Sequence, residues 1–399
     1  MGDPQVTRRL RIAIYNLYWA TYGGGEQVSA AIAEALAPHH DVTLLGPTEP
    51  DIDVSRRRLG ADLTGCAHRR VVDDVEASVA SADFDVFVNG TYRSHAVNRA
   101  AAGYYYVHFP EPPVGTGRRV VHGVSRGGLV ALGAAERVMR RLPDRLGGVQ
   151  RGLQRRVIDR SWTSSYRTFW ANSRYTAQWI ERIWDVPSTI LYPPVRPLVA
   201  PGSKKHVIAS VGRFFDPALG HSKKQLDLVE AFRRMCESGH ADDWRLVLVG
   251  GAEPPSRDYV LAVRRAAQGL PCDVHVNAPR HVVEETLSSA AVYWHGSGYG
   301  EDPERDPDRF EHFGISVVEA MAAGAVPVVF GAAGPAEIVR DGVDGFHWNT
   351  PTDLVTRTRE LMVDPARCNA MSTIARLRAA DFSSDVFAAA VLAEMNGPQ

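Results

Sequence analysis

Apolar and polar positions along the first half of the chain follow a strand, turn, helix and strand order. Residues 10–16 alternate in polarity like a strand, and a glycine-rich turn follows them. Residues 28–36 then have apolar side chains at helical spacing, and residues 41–45 predict the next strand. This order is typical of a right-handed parallel crossover unit. Further strands are predicted at residues 84–88 and 103–107, another ends at residues 170–173, and a helix follows at residues 175–184.

A second series of the same kind follows a proline-rich stretch at residues 192–197. Prolines there remove backbone donors and stiffen the chain, which suits a linker. The second series has a predicted helix at residues 226–235 and predicted strands at residues 207–211, 244–249, 274–276, 292–294 and 326–330. The two series predict an α/β fold of two doubly wound, Rossmann-like domains with a cleft between them. Ligands of such domains are expected at the carboxyl ends of the strands.

Length and composition agree with two folded domains and exclude several classes of protein. The chain has 399 residues, of which 45% are hydrophobic and 23% are charged, and its formal net charge is -1. This length exceeds one ordinary core, and a net charge near zero gives no general attraction to nucleic acid. The four cysteines lack the paired spacing of a zinc site or a disulfide framework. No apolar run could span a bilayer and no signal-peptide core is present, so a cytoplasmic protein is expected.

The most informative motif places two carboxylates, Glu311 and Glu319, eight residues apart across a predicted loop-to-helix junction. A helix N-terminus at a sheet edge binds anions, because its first amides lack intrahelical partners and its dipole favours negative charge. Carboxylates beside such a site are suited to accepting hydrogen bonds from hydroxyls. Amides for phosphate and carboxylates for sugar together indicate a nucleotide-sugar pocket. The alternative for Glu319 is a capping box with Ser316, which would leave Glu311 unexplained.

The glycine-rich turn at Gly23, Gly24 and Gly25 differs from a dinucleotide-binding fingerprint. That fingerprint needs another glycine where Val28 stands and an acidic residue at the end of the second strand, where residues 45–46 are Leu and Gly. A nicotinamide cofactor is therefore not expected. The three glycines either permit a tight turn or let the backbone approach a ligand at the floor of the cleft.

Three cations are candidates for binding phosphate. Arg213 directly follows a predicted strand, whereas Lys223 and Lys224 precede a predicted helix. Cations at a helix N-terminus oppose its dipole, so a purely structural role is disfavoured. Such charges would instead neutralise a pyrophosphate leaving group, a strong form of electrostatic catalysis. The alternative is a group of solvated surface charges, many of which contribute nothing measurable.

Two further segments have more than one interpretation. His108 ends a predicted strand at the edge where the cleft is expected, but a lone histidine is also common as a structural residue. Asp306-Pro307-Asp308 matches a metal-binding Asp-x-Asp pattern, yet it lies in the acidic loop 301–309, which is predicted to be solvated.

Residues 118–160 form the most basic segment, with eleven arginines and no lysine. Apolar residues interleave with this charge, and a basic amphipathic segment can lie on an anionic membrane surface. The alternative is a solvated, arginine-rich pair of helices that covers the first domain.

Together these motifs resemble glycosyltransferase family four, the retaining nucleotide-sugar transferases of GT-B fold. The signature from Glu311 to Glu319, followed by Ala320-Met321-Ala322-Ala323-Gly324, is specific to that family. The other segments that recur there are Val211-Gly212-Arg213, Lys223, Gly250-Gly251, Asn172-Ser173-Arg174-Tyr175-Thr176 and Leu191-Tyr192-Pro193-Pro194-Val195. Within the family, the chain is most similar to the GDP-mannose-dependent alpha-mannosyltransferases. Two segments carry this similarity, Gly23-Gly24-Gly25-Glu26 and Glu311-His312-Phe313-Gly314-Ile315.

The resemblance implies a role for each candidate residue. Glu311 would contact hydroxyls of the donor sugar, and Glu319 those of the ribose. Arg213 would bind the pyrophosphate together with Lys223 or Lys224. The other implied site residues are His108 beside the reacting sugar, Gly24 and Gly25 at the junction of donor and acceptor, and Phe313, Gly314, Ile315 and Ser316, whose amides would contact the donor.

The implied reaction is a retaining transfer of a hexose, with mannose favoured, from a nucleotide diphosphate sugar. The acceptor would be a hydroxyl of a glycan, a lipid-linked acceptor or a small molecule. No metal is implied, and no cofactor beyond the GDP- or UDP-linked co-substrate. The alternatives are a UDP-sugar-dependent transferase of glucose or GlcNAc and a nucleotide-sugar epimerase.

The resemblance also implies a domain division. An acceptor-binding domain would cover residues 1–195, a donor-binding domain residues 196–380, and a helix within residues 381–399 would cross back to the first domain. The protein is expected to be cytoplasmic, or peripheral to the inner face of the membrane through residues 118–160.

Overall fold

The computed structural model describes residues 8–111, 162–197, 200–239, 241 and 243–396. Within these residues the strands form two parallel sheets. The first sheet has the order β3-β2-β1-β4-β5-β6-β7, and the second has the order β10-β9-β8-β11-β12-β13. The order reverses beside β1 in one sheet and beside β8 in the other, as the doubly wound prediction requires.

The strands of the first sheet are β1 (Arg11–Tyr15), β2 (Asp41–Gly46), β3 (Ala67–Arg70), β4 (Val86–Asn89), β5 (Ala102–Val107), β6 (Thr168–Ala171) and β7 (Thr189–Ile190). Those of the second sheet are β8 (Lys205–Val211), β9 (Arg245–Gly250), β10 (Cys272–Val276), β11 (Ala290–His295), β12 (Val326–Phe330) and β13 (Phe346–Trp348). The central strands are apolar along their whole length because helices cover both faces of each sheet. Their predicted positions are confirmed to within three residues.

The helices connect these strands and pack on both faces of the sheets. Those of the first half are α1 (Gly24–Leu36), α2 (Ile52–Arg58), α3 (Asp74–Ala80) and α4 (Arg174–Trp184). Those of the second half are α5 (Gln225–Glu237), α6 (Arg257–Ala267), α7 (Arg280–Ser289), α8 (Ile315–Ala322), α9 (Ala333–Ile338), α10 (Pro351–Val363), α11 (Pro365–Ala379) and α12 (Ser384–Asn396).

The last helix, α12, belongs to the first domain although it ends the described chain. Phe387 and Val391 are buried in the same core as Ile12 of β1. The indole Nε1 of Trp170 on β6 donates a hydrogen bond to Glu394 Oε2 over 3.3 Å. The expected helix that crosses back to the first domain is therefore confirmed, whereas the boundaries at residues 195 and 380 stay predictions.

The chain passes between the domains at two adjacent places. The proline-rich linker crosses at Val195, and the return crossing lies between Phe382 and α12. The Val195 amide donates to the Phe382 carbonyl oxygen over 2.8 Å, so the two crossing segments are hydrogen-bonded to each other. The Arg196 guanidinium also donates to the Ser384 hydroxyl over 3.1 Å.

The cleft is lined by residues that follow the carboxyl ends of strands in both domains. Phe109, just after β5, stacks its ring on His312 with 4.2 Å between ring centroids and 11° between ring planes. A Cβ added to Gly24 would lie 3.3 Å from the Ile315 Cδ1 atom, so the first turns of α1 and α8 are in contact. The predicted cleft therefore lies where both sheets present their carboxyl ends.

Candidate active site

The N-termini of α1 and α8 meet in the cleft and differ in how their amides are satisfied. At α1, Glu26 Oε2 accepts hydrogen bonds from the Gly23 amide over 2.7 Å and from the Thr21 hydroxyl over 2.6 Å. At α8, no side chain caps the first residue after Gly314, and the first turn contains no acidic residue. The dipole and free amides of α8 are therefore available to an anion.

The local structure around Ser316 contradicts the alternative interpretation of Glu319 as part of a capping box. The helix begins at Ile315, with Gly314 as its N-cap at a φ of 115° that favours glycine. The Ser316 hydroxyl instead accepts a hydrogen bond from the Tyr293 hydroxyl over 2.9 Å. Glu319 lies beyond the first turn and makes no return bond to an N-cap amide, so the capping alternative for Glu319 is wrong.

The glycine turn allows α1 to approach the opposite wall and His108. A Cβ on Gly25 would lie 3.4 Å from the His108 imidazole. The His108 ring places Nε2 3.1 Å from the Gly90 carbonyl oxygen, so Nε2 carries the proton and donates. Burial lowers the pKa of His108, which favours the neutral ring. His108 therefore makes a structural hydrogen bond and also lies beside α1 at the cleft. Its contact with a sugar stays a prediction.

Glu311 lies in the centre of a cationic and imidazole-rich cluster. Lys223 Nζ forms an ion pair with Glu311 Oε2, and His295 Nε2 lies 3.1 Å from the same oxygen. His221 Nε2 lies 3.9 Å from that oxygen. Burial alone would raise the pKa of Glu311, but the Lys223 ammonium and the His295 hydrogen bond outweigh it and hold the pKa well below its usual range. Glu311 is therefore a carboxylate at neutral pH.

Lys224 points to a different partner from its neighbour. Its ammonium pairs with Glu301 over 2.5 Å, and their side chains are only 10% and 9% exposed. Arg309 adds a second cation, 3.4 Å from Glu301. Lys223 is thus the lysine at Glu311, and nothing in the described contacts of Lys224 supports its role in donor binding.

The acidic loop was predicted to be solvated, and this is wrong for several of its residues. Glu301 is buried in its ion pairs with the two cations described above. The Pro307 carbonyl accepts a hydrogen bond from the Tyr175 hydroxyl over 2.9 Å, and Asp308 lies 3.6 Å from Arg93. The loop therefore connects the second domain to the first, which charge content alone does not reveal.

Arg213 lies at the mouth of an open pocket of about 510 Å³ between the carboxyl ends of β8, β9 and β10. The pocket wall also includes Gly250, Gly251 and Asn277. Arg213 is exposed, and no ion pair joins its guanidinium to another described residue. A solvent-facing cation at the edge of a pocket can meet an incoming anion without breaking an existing ion pair.

Glu319 has surroundings opposite to those of Glu311. Burial raises the pKa of Glu319 to about 7, and the more distant Arg280 only partly opposes this effect. Across the described ranges, no side chain or amide donates a hydrogen bond to the Glu319 carboxylate. A hydroxyl donor would be a favourable partner for such a group, because a buried carboxylate without hydrogen bonds is costly.

A model of the family of glycosyl transferases group 1 matches residues 198–378. Residues 198–378 are therefore similar to the glycosyl transferases of group 1. The match covers the strands, helices and charged residues of the second domain described above. The expected resemblance to this family of transferases is confirmed.

Two curated relatives each match less than half of the chain. The GDP-Man:Man(3)GlcNAc(2)-PP-Dol alpha-1,2-mannosyltransferase of Dictyostelium discoideum is 30% identical over 212 residues, which are 48% of this chain and 39% of that protein. The enzyme of the same name from Homo sapiens is 29% identical over 185 residues, 41% of this chain and 34% of that protein. The chain thus matches less than half of the length of these relatives.

Solved structures confirm the overall fold. The HepE protein of Anabaena, solved in complex with UDP and glucose, superimposes with a TM-score of 0.65 at 14% identity, covering 98% of this chain and 100% of that one. Sucrose-phosphate synthase from Thermosynechococcus elongatus gives a TM-score of 0.64 at 15% identity, covering 97% and 98%. The predicted GT-B fold of two Rossmann-like domains is confirmed.

Three histidines of the second domain were not predicted as site residues. His221 and His295 approach Glu311, and His312 stacks on Phe109 across the cleft. Burial lowers the pKa of His312 to about 4, so this ring is neutral at pH 7. His295 could have been found from the sequence, because it ends a predicted strand where ligands of parallel sheets bind.

The remaining expectations concern parts of the chain that the comparisons and contacts do not test. The arginine-rich segment 118–160 lies outside the described residues, so its contact with a membrane stays a prediction. Among the helices described, none combines the length and the apolar character needed to cross a bilayer. The amides from Phe313 to Ser316 lie at the α8 N-terminus, as expected, but their contact with a donor also stays a prediction.

Proposed function

We propose that the chain is a retaining glycosyltransferase that moves a hexose from a nucleotide diphosphate sugar to an acceptor hydroxyl. Mannose from GDP-mannose is favoured, because the curated relatives that match a large part of the chain are named as GDP-Man-dependent mannosyltransferases. The acceptor would be a glycan, a lipid-linked acceptor or a small molecule. The second domain would bind the donor, and the first domain would bind the acceptor.

The observation that supports this proposal best is the uncapped N-terminus of α8 between two carboxylates of opposite character. Its free amides suit the donor diphosphate. Glu311, before the helix, is an ionised carboxylate paired with Lys223, so it can accept hydrogen bonds from hydroxyls of the donor sugar. Glu319 on the other side lacks hydrogen-bond donors, which suits hydroxyls of the ribose.

The proposed chemistry needs no protein nucleophile. The acceptor oxygen forms a bond to the anomeric carbon on the face from which the diphosphate departs, and the bond from that carbon to the phosphate oxygen breaks. The departing phosphate takes the acceptor proton. Arg213 and Lys223 would stabilise the charge that develops on the diphosphate, and the cleft walls would hold the acceptor hydroxyl on the face that the diphosphate leaves and would exclude water.

The first experiment is calorimetric binding of GDP, UDP and ADP, and of their sugar conjugates, to the purified protein. Selective binding of GDP and GDP-mannose is the expected result. Selective binding of UDP conjugates would replace mannose with a UDP-linked hexose such as glucose or GlcNAc. Binding of none of these ligands would overturn the assignment of the cleft as a donor site.

Single substitutions test the assignment of residues once a donor is known. Arg213→Ala and Glu319→Ala should each remove roughly 2 to 4 kcal/mol of transition-state stabilisation and so slow donor turnover, as expected for groups that stabilise charge or orientation in a site. Arg264→Ala, which removes an exposed arginine on α6, is the matched control. Near-normal turnover in both site variants would contradict the proposed roles.

Location is part of the same proposal. A cytoplasmic enzyme that uses a lipid-linked acceptor would contact the inner face of the membrane, and residues 118–160 supply the basic charge for such contact. Sedimentation with anionic vesicles should show binding that weakens with added salt. Equal recovery with neutral and anionic vesicles would remove the membrane from the proposal.

A further inference from the structure

The contacts of Glu311 are concentrated on one of its two carboxylate oxygens. Lys223 Nζ pairs with Oε2, and His295 Nε2 lies 3.1 Å from the same oxygen. His221 Nε2 approaches that oxygen to 3.9 Å. No hydrogen bond from the described residues reaches Oε1. The side chain is 14% exposed, so the unbound oxygen is available to a hydroxyl in the cleft.

His295 is the most rigidly held of these partners. It is the last residue of β11, where it is in register with Val329 of β12. Its carbonyl oxygen accepts a hydrogen bond from the Trp348 indole over 3.1 Å, and its side chain is only 3% exposed. Lys223, in contrast, lies in the loop before α5 and reaches Glu311 through a flexible aliphatic chain.

The hydrogen bond fixes the tautomer of His295. A carboxylate only accepts, so the ring nitrogen that faces it must be protonated, which leaves Nδ1 as a bare acceptor. Nδ1 is buried and has no partner among the described residues. A buried acceptor without a partner is rare and costly. The His295 ring thus keeps its orientation towards Glu311 although this orientation leaves Nδ1 without a hydrogen-bond partner among the described residues.

We propose that His295 is a positioning residue that holds Glu311 through Oε2 and leaves Oε1 for a hydroxyl of the donor sugar. The neutral ring orients the carboxylate without adding charge. Lys223 can then turn its ammonium towards the donor diphosphate while Glu311 remains oriented. The identity of the hydroxyl as part of a donor sugar rests on the proposed function, whereas the hold on Glu311 rests on the geometry alone.

Two variants of similar polarity separate this role from general packing. In His295→Gln the side-chain amide nitrogen takes the approximate place of Nε2 and can still donate to Glu311. In His295→Asn the amide takes the approximate place of Nδ1 and is too short to reach. His39→Asn, at an exposed histidine after α1, controls for effects of the substitution itself.

The first measurement compares transfer and binding. His295→Asn should lower kcat by about 100-fold, the loss expected when a reacting group is misplaced by about 1 Å, and His295→Gln should recover most of it. Binding of the nucleoside diphosphate alone should be unchanged in both, whereas the extra affinity from the attached sugar should be lost only in His295→Asn. Equal kinetics in the Asn variant and the native protein, or equal losses in both variants, would overturn the proposal.

The second measurement needs no activity. Nitrogen-15 spectra of the histidine rings should show His295 as the Nε2-protonated tautomer, and this signal should shift in Glu311→Ala. A Nδ1-protonated ring would overturn the proposal whatever the kinetics show. If the native protein bound no nucleotide sugar, the proposed function would fail, and the spectra would still decide whether His295 holds Glu311.

Discussion

Glu311 and Glu319 lie eight residues apart in one motif, yet their surroundings shift their pKa values in opposite directions. Glu311 is ion-paired with Lys223 and hydrogen-bonded to His295, and its pKa is held well below its usual range. Glu319 has no described donor, and burial raises its pKa to about 7. Both arrangements reduce the negative charge beside an anion site, because Glu311 has a counter-ion and Glu319 is partly protonated near pH 7. The motif thus determines where the two carboxylates lie, whereas residues distant in sequence determine how strongly each carboxylate is charged.

The largest effect is expected from removing the counter-ion of Glu311. Lys223→Met would leave a partly buried carboxylate without its cation, and we expect a loss of roughly 3 to 5 kcal/mol in the free energy of unfolding at pH 7. The double variant Lys223→Met, Glu311→Gln should recover much of this loss, because the unpaired charge is gone. Chemical denaturation of the native protein, the single variants Lys223→Met and Glu311→Gln, and the double variant measures the coupling. Strictly additive losses would contradict the ion pair.

Replacing Glu319 is expected to increase the free energy of unfolding at high pH, by less than the loss expected for Lys223→Met. The pKa of Glu319 is about 7 in the folded protein against a usual value of 4.5, so the folded state binds more protons between these pH values. Its stability contribution is therefore present below about pH 4.5 and is lost as pH rises through 7, by up to about 3 kcal/mol. Glu319→Gln should match the native protein near pH 4.5 and become more stable than it at pH 8. Thermal unfolding across this range measures the difference.

Glu311→Gln is the matched control for that pH series. The folded pKa of Glu311 is depressed, so its contribution is present above its unfolded pKa, near the usual 4.5, and is lost as pH falls through the folded value. The Glu311→Gln variant should therefore be less stable than the native protein at neutral pH. Parallel pH profiles for the two variants would mean that the carboxylates do not differ as described.

The smallest effect is expected at an exposed carboxylate between the domains. Glu304 pairs with Arg182 over 3.0 Å, but their side chains are 60% and 52% exposed. Glu304→Gln should change the free energy of unfolding by less than about 1 kcal/mol, because solvent screens such a pair. Denaturation at low and high salt measures it. A loss as large as that of Lys223→Met would show that this interdomain contact is far stronger than its exposure indicates.

The fold was largely predictable from sequence because its strands are long, apolar and separated by helices. β12 was predicted at its observed bounds, since the run from Val326 to Phe330 is apolar and is followed by Gly331. β3, in contrast, was not predicted. Its residues Ala67–Arg70 are mostly exposed at the sheet edge and follow no apolar alternation. The strand exists because it pairs with β2, which is a tertiary cause.

The candidate site was predictable in its position but not in its pairings. Ser316 and Glu319 have the spacing of a capping box, but Tyr293, far away in sequence, bonds to the Ser316 hydroxyl instead. Lys223 and Lys224 are adjacent and chemically identical, so their division between Glu311 and Glu301 depends on the left-handed backbone at Lys224, with a φ of 58°. Such choices arise from packing that a single sequence does not display.

The hydrogen-bonded crossings at Val195 and Phe382 determine how the cleft can come apart. The chain crosses between the domains twice at one place, so after a protease cuts the linker at Val195 the second domain stays attached through α12, which packs in the core of the first domain. Each domain would then stay near its partner at an effective concentration in the millimolar range or above, as for any short tether. Disassembly of the cleft in a nicked chain therefore requires two independent breaks, and the lifetime of the paired domains depends on the slower of the two.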